Sequence, residues 1–317
     1  RTDSNFGDAV VNFELTNKLI QNKFSTLQKN LIPVVNGFTG SDENGDTTSL
    51  GRSGSDYTAT IIGAALKVDL VEIWTDVDGV LSADPKIVDD AQTLDELSYE
   101  EANNLALLGG KVIHPKTIVP AEKQNVPISI LNSLRPEGRG TYIGKNGFTN
   151  GDGIRTITYL QGLSRVDVNE LESRHAQNIF LRLFSLISRL GIPIITINKS
   201  ATHQSISFIT HAEVAHYFYG EIKREFSLDE ENGYIGNISR SNNLALISAI
   251  GCKPEYNSSI TKKIYDTLEE KNIEPVMFFN DPSALNISFI VSQSEVKNTI
   301  AVLHEEFFQN KLNINVA

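Results

Sequence analysis

Apolar positions recur with two different periods along this chain, and the switches between them mark its elements. Phe13, Leu19, Ile20 and Phe24 fall at roughly helical spacing, so residues 8–24 are predicted to form an amphipathic helix. Ile32–Val35 reads as a short buried strand. Residues 37–48, with Gly37, Gly40, Asp42, Asn44, Gly45 and Asp46, read as a loop. A second helix is expected from Ser55 or Asp56 to Lys67, and a strand over Leu70–Trp74. Ser98 followed by Glu101 forms a capping box for a helix that stops at Gly109-Gly110, and Val126–Leu131 is a further strand. This alternation over residues 1–145 implies an α/β layer with a parallel or mixed sheet.

The Gly- and Asn-rich stretch 144–153 has little to bury and places a linker at 146–153. Beyond it the pattern repeats. Ile206-Ser207-Phe208-Ile209 recurs as Ile287-Ser288-Phe289-Ile290, and the same offset pairs Phe184 with Tyr265, Ile187 with Leu268 and Ile192 with Ile273. The first unit reads as strand 163–169, helix 173–190, strands 193–198 and 204–210, and helix 211–226. The second reads as strand 244–250, helix 257–271, strands 275–279 and 285–291, and helix 293–308. Each is most of a ferredoxin-like β-α-β-β-α unit. An additional strand at 154–160 is available to complete an edge.

Composition narrows the function. The 317 residues are 40% apolar and 21% charged, which is ordinary for a folded soluble chain of two or three domains. A formal charge of −11 disfavours nucleic acid or an anionic membrane as the main partner, and no apolar run is long enough for a membrane helix. One cysteine, Cys252, excludes an internal disulfide framework and fits a reducing, cytoplasmic compartment. No metal-ligand spacing is evident among the six histidines and that cysteine. The chain opens on Arg1 in the middle of a pattern, which reads as a piece of a longer protein.

Three segments carry candidate chemistry. Thr47-Thr48-Ser49-Leu50-Gly51-Arg52-Ser53-Gly54-Ser55-Asp56 is a flexible polar loop feeding a helix N-terminus, where free amides attract anions. Arg52 offers a planar fork for a carboxylate, and Asp56 a partner for an ammonium. The segment is equally well explained as a polar turn with Ser55 as N-cap. Trp74-Thr75-Asp76-Val77-Asp78-Gly79-Val80, followed by Asp84-Pro85-Lys86, is a strand end where ligands of open α/β sheets sit, and also a plain strand–turn. Gly109-Gly110-Lys111-Val112-Ile113-His114-Pro115 sets a compact cation after a glycine pair, or is a helix C-cap followed by a solvated lysine. His114 reads as structural.

Taken in order and at these distances, TTSLGRSGSD, WTDVDGV…DPK and GGKVIHP, with the opening TDSNFGDAVVNFELTN, resemble the C-terminal half of an aspartate kinase catalytic domain, of the amino acid kinase superfamily, over residues 1–143. The duplicated tail, 154–310, resembles the tandem ACT domains that follow that kinase. The stretches His203–Phe208 and Leu303-His304-Glu305-Glu306-Phe307-Phe308 are most similar to the bifunctional aspartate kinase–homoserine dehydrogenases, and 311–317 looks like the first strand of the dehydrogenase's dinucleotide fold.

The resemblance implies a partial amino acid kinase fold, a three-layer α/β/α sandwich, followed by two ferredoxin-like ACT domains. It implies ATP- and Mg²⁺-dependent phosphorylation of the β-carboxylate of L-aspartate, early in lysine, threonine and methionine synthesis. NADP enters only if a dehydrogenase follows Ala317. Carried over by residue, Arg52, Ser53, Gly54, Ser55 and Asp56 belong to the aspartate site. Thr75, Asp76, Leu81, Lys86, Lys111 and Val112 belong to the nucleotide site, with Lys111 catalytic. The family usually has Gly at Ser53, Tyr at Leu81 and Arg at Lys86. Its N-terminal Lys-Phe-Gly-Gly segment is not in this sequence, so the chain alone is expected to be inactive. The effector turns, Glu170–His175 and Lys253–Ser258, lack the family's glycines. Lys199 and Asn280 stand where it has Gln, with Asn280 still able to bind an amino acid, so weakened feedback by threonine or lysine is expected. Assembly into a homo-oligomer through the ACT domains is expected as well. The alternative is a non-catalytic, amino-acid-sensing or dimerising ACT module, which the three retained motifs disfavour. A kinase acting on glutamate or acetylglutamate is disfavoured by the duplication and by GRSGSD.

Overall fold

The computed structural model describes residues 1–28, 30–147, 153–170, 173–200, 205–252, 254–280 and 285–309. The predicted linker core, the stretch 311–317 and the His203-Gln204 pair therefore lie outside the described residues. Helix α1 (Phe13–Ser25) starts later than periodicity alone suggests. Residues before it fold through a turn closed by the antiparallel bridge of Thr2 to Val11, and Asn12 accepts a hydrogen bond from the Leu15 amide as N-cap.

The strand predicted at Ile32–Val35 does not form. Ile32 and Val34 are 92% and 96% exposed, and no strand among the described residues pairs with them. An apolar, β-branched run makes a strand only where a neighbour satisfies its backbone. The loop at 37–48 is instead a hairpin, β1 (Thr39–Ser41) with β2 (Thr47–Ser49). Asp42 Oδ1 closes its turn by accepting from the amides of Asn44 and Asp46 at 3.0 and 2.9 Å.

Then follow α2 (Gly54–Leu66), β3 (Val71–Thr75), β4 (Glu96–Ser98), α3 (Tyr99–Leu107), α4 (Pro115–Gln124), β5 (Ile128–Asn132) and β6 (Thr141–Gly144). The sheet runs β3-β5-β6-β4, with β3/β5 and β4/β6 parallel and β5/β6 antiparallel. Ile73, Leu97, Ile128, Ile130 and Ile143 bury its inner face against Ala102, Leu105 and Ile118 of α3 and α4. The capping box at α3 is complete: Ser98 Oγ accepts from the Glu101 amide, and Glu101 Oε2 accepts from the Ser98 amide at 2.7 Å. Helix α4, not anticipated from the sequence, starts at Pro115 with His114 as N-cap.

The second half is one six-stranded sheet, ordered β11-β12-β10-β7-β9-β8. Its elements are β7 (Thr156–Glu170), α5 (Ser173–Leu190), β8 (Ile194–Ser200), β9 (Ser205–His211), α6 (Ala212–Glu225), α7 (Ser227–Glu231), β10 (Ile235–Ile250), α8 (Asn257–Glu270), β11 (Met277–Asn280), β12 (Asn286–Ser292) and α9 (Val296–His304). The two predicted strands at 154–160 and 163–169 are a single strand, β7, which continues through Gly162 in a left-handed turn of the backbone (φ +72°). Its N-terminal part pairs with Leu246–Ile250, and its C-terminal part with β9 and with Ile235–Ser241. Each of β7 and β10 thus serves both ferredoxin-like units, and 156–160 supplies the edge that the second unit lacks. Register shifts in the β7–β10 pairing mark the passage between units. A bulge reverses the inward–outward alternation, so Ile238 and Ile247, an odd number of residues apart, both face helices.

The two halves interlock. Ala83 and Val88 from the first half are buried in the core of the second unit, and Ile250 is buried in the core of the first half. Gly109 takes φ +114°, and a Cβ there would overlap the carbonyl oxygen of Tyr159 on β7. No helix among the described residues is long and apolar enough to cross a membrane.

Two outcomes follow from this packing. Phe208 and Phe289, equivalent in the duplication, are both fully buried, so Phe208→Ala and Phe289→Ala are each expected to cost about 3–5 kcal/mol. Because the units share β7 and β10, both variants should lower one common chemical-denaturation transition; separate transitions would show that the units fold independently. Gly109→Ala combines a disfavoured φ with an overlap on backbone and should cost about 2–4 kcal/mol in the same measurement. A Gly109→Ala protein as stable as the parent would mean that this contact does not hold the halves together.

Candidate functional site

Two groups of candidate residues meet near the GGKVIHP segment. The first is the loop entering α2. Gly51 has φ +77°, and a Cβ there would overlap the Asp8 carboxylate, so glycine is needed for close approach. The N-cap is Ser53, not Ser55. It sits in the left-handed region at φ +55° and makes no side-chain cap bond, a conformation that a glycine would hold without steric cost. Gly54 is buried against Phe38, whose carbonyl accepts from the Leu50 amide at 2.9 Å and whose amide donates to Thr58 Oγ1 at 3.0 Å. These bonds fix the backbone on either side of Arg52. Arg52 and Ser55 are exposed and Asp56 is half-buried, and burial raises the Asp56 carboxyl above its usual range.

His114 links this loop to the second group. Burial lowers its imidazole pKa, the nearby Lys116 and Arg52 cations lower it further, and Asp8 opposes them. Lys116 is ion-paired with Asp8. Arg52, Asp8, His114 and Lys116 therefore share one neighbourhood at the N-terminal ends of α2 and α4.

The second group walls a cavity of about 230 Å³ between the two halves. Leu81, Lys86, Lys111 and Val112 all line it, together with Gly79, Asp84 and Tyr159. The Lys111 ammonium stands 5.8 Å from the centre of the Tyr159 ring. Tyr159 donates its hydroxyl to Asp84 Oδ2 at 2.9 Å. Burial and this carboxylate push the phenol up to about 12. Asp84 Oδ1 accepts from the Lys86 amide at 2.9 Å, so one carboxylate orders both the loop and the aromatic wall.

Thr75 and Asp76 are not in that wall. They lie at the exposed end of β3, where Thr75 Oγ1 donates to Asp76 Oδ1 at 3.2 Å and the Thr75 carbonyl accepts from the Ser133 amide. A more polar cleft of about 280 Å³ opens beside the ends of β3 and β5, lined by Asp78, Asn132, Arg135 and Arg139. There the buried Asn132 donates to Asp78 Oδ1 at 2.7 Å, and Arg135 pairs with Asp78. Asp78 and Asp84 fall in the second segment singled out from the sequence, whereas Tyr159, Asn132, Arg135 and Arg139 were not anticipated. The available signal was Asn132-Ser133 in a polar turn at the carboxyl end of a parallel strand. Asn280 ends β11 opposite Ile287, and its side chain, like those of Glu170–His175, falls outside what the structure describes. Among the described residues no group of three or more His, Cys, Asp or Glu is placed to hold a metal ion.

Residues 6–132 match the amino acid kinase family, and residues 247–307 match an ACT domain. The chain is 33% identical to the bifunctional aspartokinase/homoserine dehydrogenase of Haemophilus influenzae, over 90% of this chain and 35% of that protein. It is 28% identical to lysine-sensitive aspartokinase 3 of Escherichia coli, over 98% of this chain and 68% of that protein. Its structure aligns with a TM-score of 0.81 and 25% identity to the crystal structure of E. coli aspartokinase III in complex with aspartate and ADP (R-state), covering 97% of this chain and 68% of that one. It spans only about a third of the length of the bifunctional relative. The chain is thus similar to the amino acid kinase family over residues 6–132, to an ACT domain over 247–307, and to aspartokinases along nearly its whole length.

Proposed function

We propose that this chain is part of an enzyme that transfers the γ-phosphoryl group of ATP to the β-carboxylate of L-aspartate, giving 4-phospho-L-aspartate. The observation that carries the reading is the convergence of Leu81, Lys86, Lys111 and Val112 on one cavity, with Arg52 near His114 of the same segment as Lys111. Phosphoryl transfer asks mainly for positioning and for charge neutralisation. Lys111 and Lys86 supply compact positive charge to the phosphates, with Thr75 and Asp76 on the approach from β3. Mg²⁺ would arrive with the nucleotide, since that ion is commonly bound through phosphates and few carboxylates.

At the other end, the Arg52 guanidinium suits the α-carboxylate of aspartate. Asp56, with its carboxyl desolvated, gains from an ammonium counter-charge. Ser53, Gly54 and Ser55 put the amides of the α2 N-terminus beside the same ligand. The bifunctional branch is favoured by the Haemophilus relative; NADP would then belong to the dehydrogenase portion and not to residues described here.

Binding by the chain tests both ends. Lys111→Ala should weaken Mg-ADP binding about tenfold or more, with aspartate affinity nearly unchanged. Arg52→Ala should do the reverse, since each removes a charge-assisted contact to one ligand only. Calorimetry in which neither variant differs from the parent would refute the assignment.

We further propose that amino-acid feedback is weak. Lys199 on β8 has its ammonium 3.8 Å from the centre of the Phe180 ring, and a lysine cannot accept a hydrogen bond from an effector ammonium. Titrating threonine or lysine into the chain should give no binding tighter than about 1 mM, a heat-detectable but marginal affinity. Micromolar binding of either would overturn this.

A further inference from the structure

The loop that walls the cavity is held from the side of the second ferredoxin-like unit. Ser82 is buried between two wall residues, Leu81 and Ala83. Its amide donates to the Gln92 carbonyl at 2.8 Å, and its own carbonyl accepts from the Ile157 amide of β7 at 2.8 Å. Its hydroxyl accepts from the Gln92 amide at 2.9 Å and shares a 2.8 Å hydrogen bond with His304 Nε2.

His304 is the last residue of α9 and is 1% exposed. Its ring stacks on Phe308 with 4.5 Å between centres, and its Nδ1 has no hydrogen-bond partner among the described residues. Burial lowers its pKa against the opposing pull of Asp90, so the ring is held neutral. A buried imidazole with one nitrogen unmet costs free energy that a leucine of similar bulk would not. The single bond it does make joins the end of a regulatory helix to the cavity loop.

We propose that His304 is a positioning residue for the nucleotide pocket: by gripping the Ser82 hydroxyl it fixes the Leu81–Lys86 wall and makes nucleotide affinity depend on the seat of α9. This rests on reading the cavity as the nucleotide site. The same loop is also tied to β7 through Thr156 Oγ1, which donates to the Leu81 carbonyl at 2.8 Å, so His304 completes a clamp whose other jaw is a strand.

The test compares His304→Leu, which fills the space without the bond, with His304→Gln, whose amide reaches the place of Nε2, and with Ser82→Ala from the loop side. Amide hydrogen exchange over residues 81–93 and binding of a fluorescent Mg-ADP analogue are read on the full chain. His304→Leu and Ser82→Ala should each speed exchange in the loop and weaken the analogue about tenfold, the equivalent of one buried hydrogen bond, while aspartate affinity holds. Gln should restore most of both, and the Ser82→Ala/His304→Leu double variant should be no worse than either single change. Unchanged loop exchange in both single variants, or fully additive effects in the double, would overturn the proposal. If the parent chain binds no nucleotide, the functional reading of the cavity falls. The exchange data then decide the clamp alone: loosening with Gln rescue upholds it, and no loosening removes it.

Discussion

The antiparallel pairing of β7 with β10 is the constraint from which the rest of the molecule takes its shape. Each strand is long enough to serve two ferredoxin-like units, so neither unit has a complete sheet of its own. The second unit borrows 156–160 from a strand whose remainder belongs to the first. That sharing explains how tandem units bury their edges without a long connection between them. It also leaves the outer side of 156–160 free to receive the loop carrying Leu81 and Ser82, through the bonds to Ile157 and from Thr156.

The cavity exists because of that placement. Its wall is half loop and half strand: Lys111 and Lys86 come from the first half, and Tyr159 from the sheet of the second. Gly109 allows the segment before Lys111 to lie directly on the Tyr159 backbone, and the Tyr159 hydroxyl ties Asp84 in turn. A shift of β7 along its partner would therefore move the aromatic wall, the acidic anchor of the loop and the approach to the lysine together. Packed contacts and hydrogen bonds are one physical route for coupling between sites, and here they are backbone hydrogen bonds, a glycine contact and the Tyr159–Asp84 bond.

Periodicity and capping chemistry made several elements legible: the capping box at Ser98, the helix ending at Gly109 and the duplication centred on Phe208 and Phe289. Where the sequence misled, non-local pairing decided the matter. Ile32–Val35 has every local feature of a strand and lacks a neighbour to pair with. The break between 154–160 and 163–169 is a bulge, since Gly162 turns the backbone without ending the strand. At the site, Lys111 and Leu81 stood out through motif and order. Tyr159 did not, and Asp84 and His304 were singled out only as members of motifs, because their contacts run across the two halves, which no local window contains. Ser53 marks the opposite case. A residue that departs from the family's glycine still occupies a left-handed turn, so the loop geometry survives the substitution at a local steric cost.

The chain's overall charge of −11 opposes, at long range, the proposed binding of a polyanionic nucleotide next to a dicarboxylic amino acid. Screening settles the conflict. At physiological ionic strength exposed charges fade over about 8 Å, so a ligand in the cleft responds mainly to its immediate walls. Those walls carry Lys86 and Lys111 at the proposed nucleotide end, while Asp84 is occupied by Tyr159 and the Lys86 amide; in the separate neighbourhood of Arg52, Asp8 is paired with Lys116. Asp84 and Asp8 are thus engaged with protein partners, which leaves the positive charge of Lys86 and Lys111 facing the hollow. An acidic protein can in this way hold an anionic reaction, provided that the loops which pair off its carboxylates stay in place.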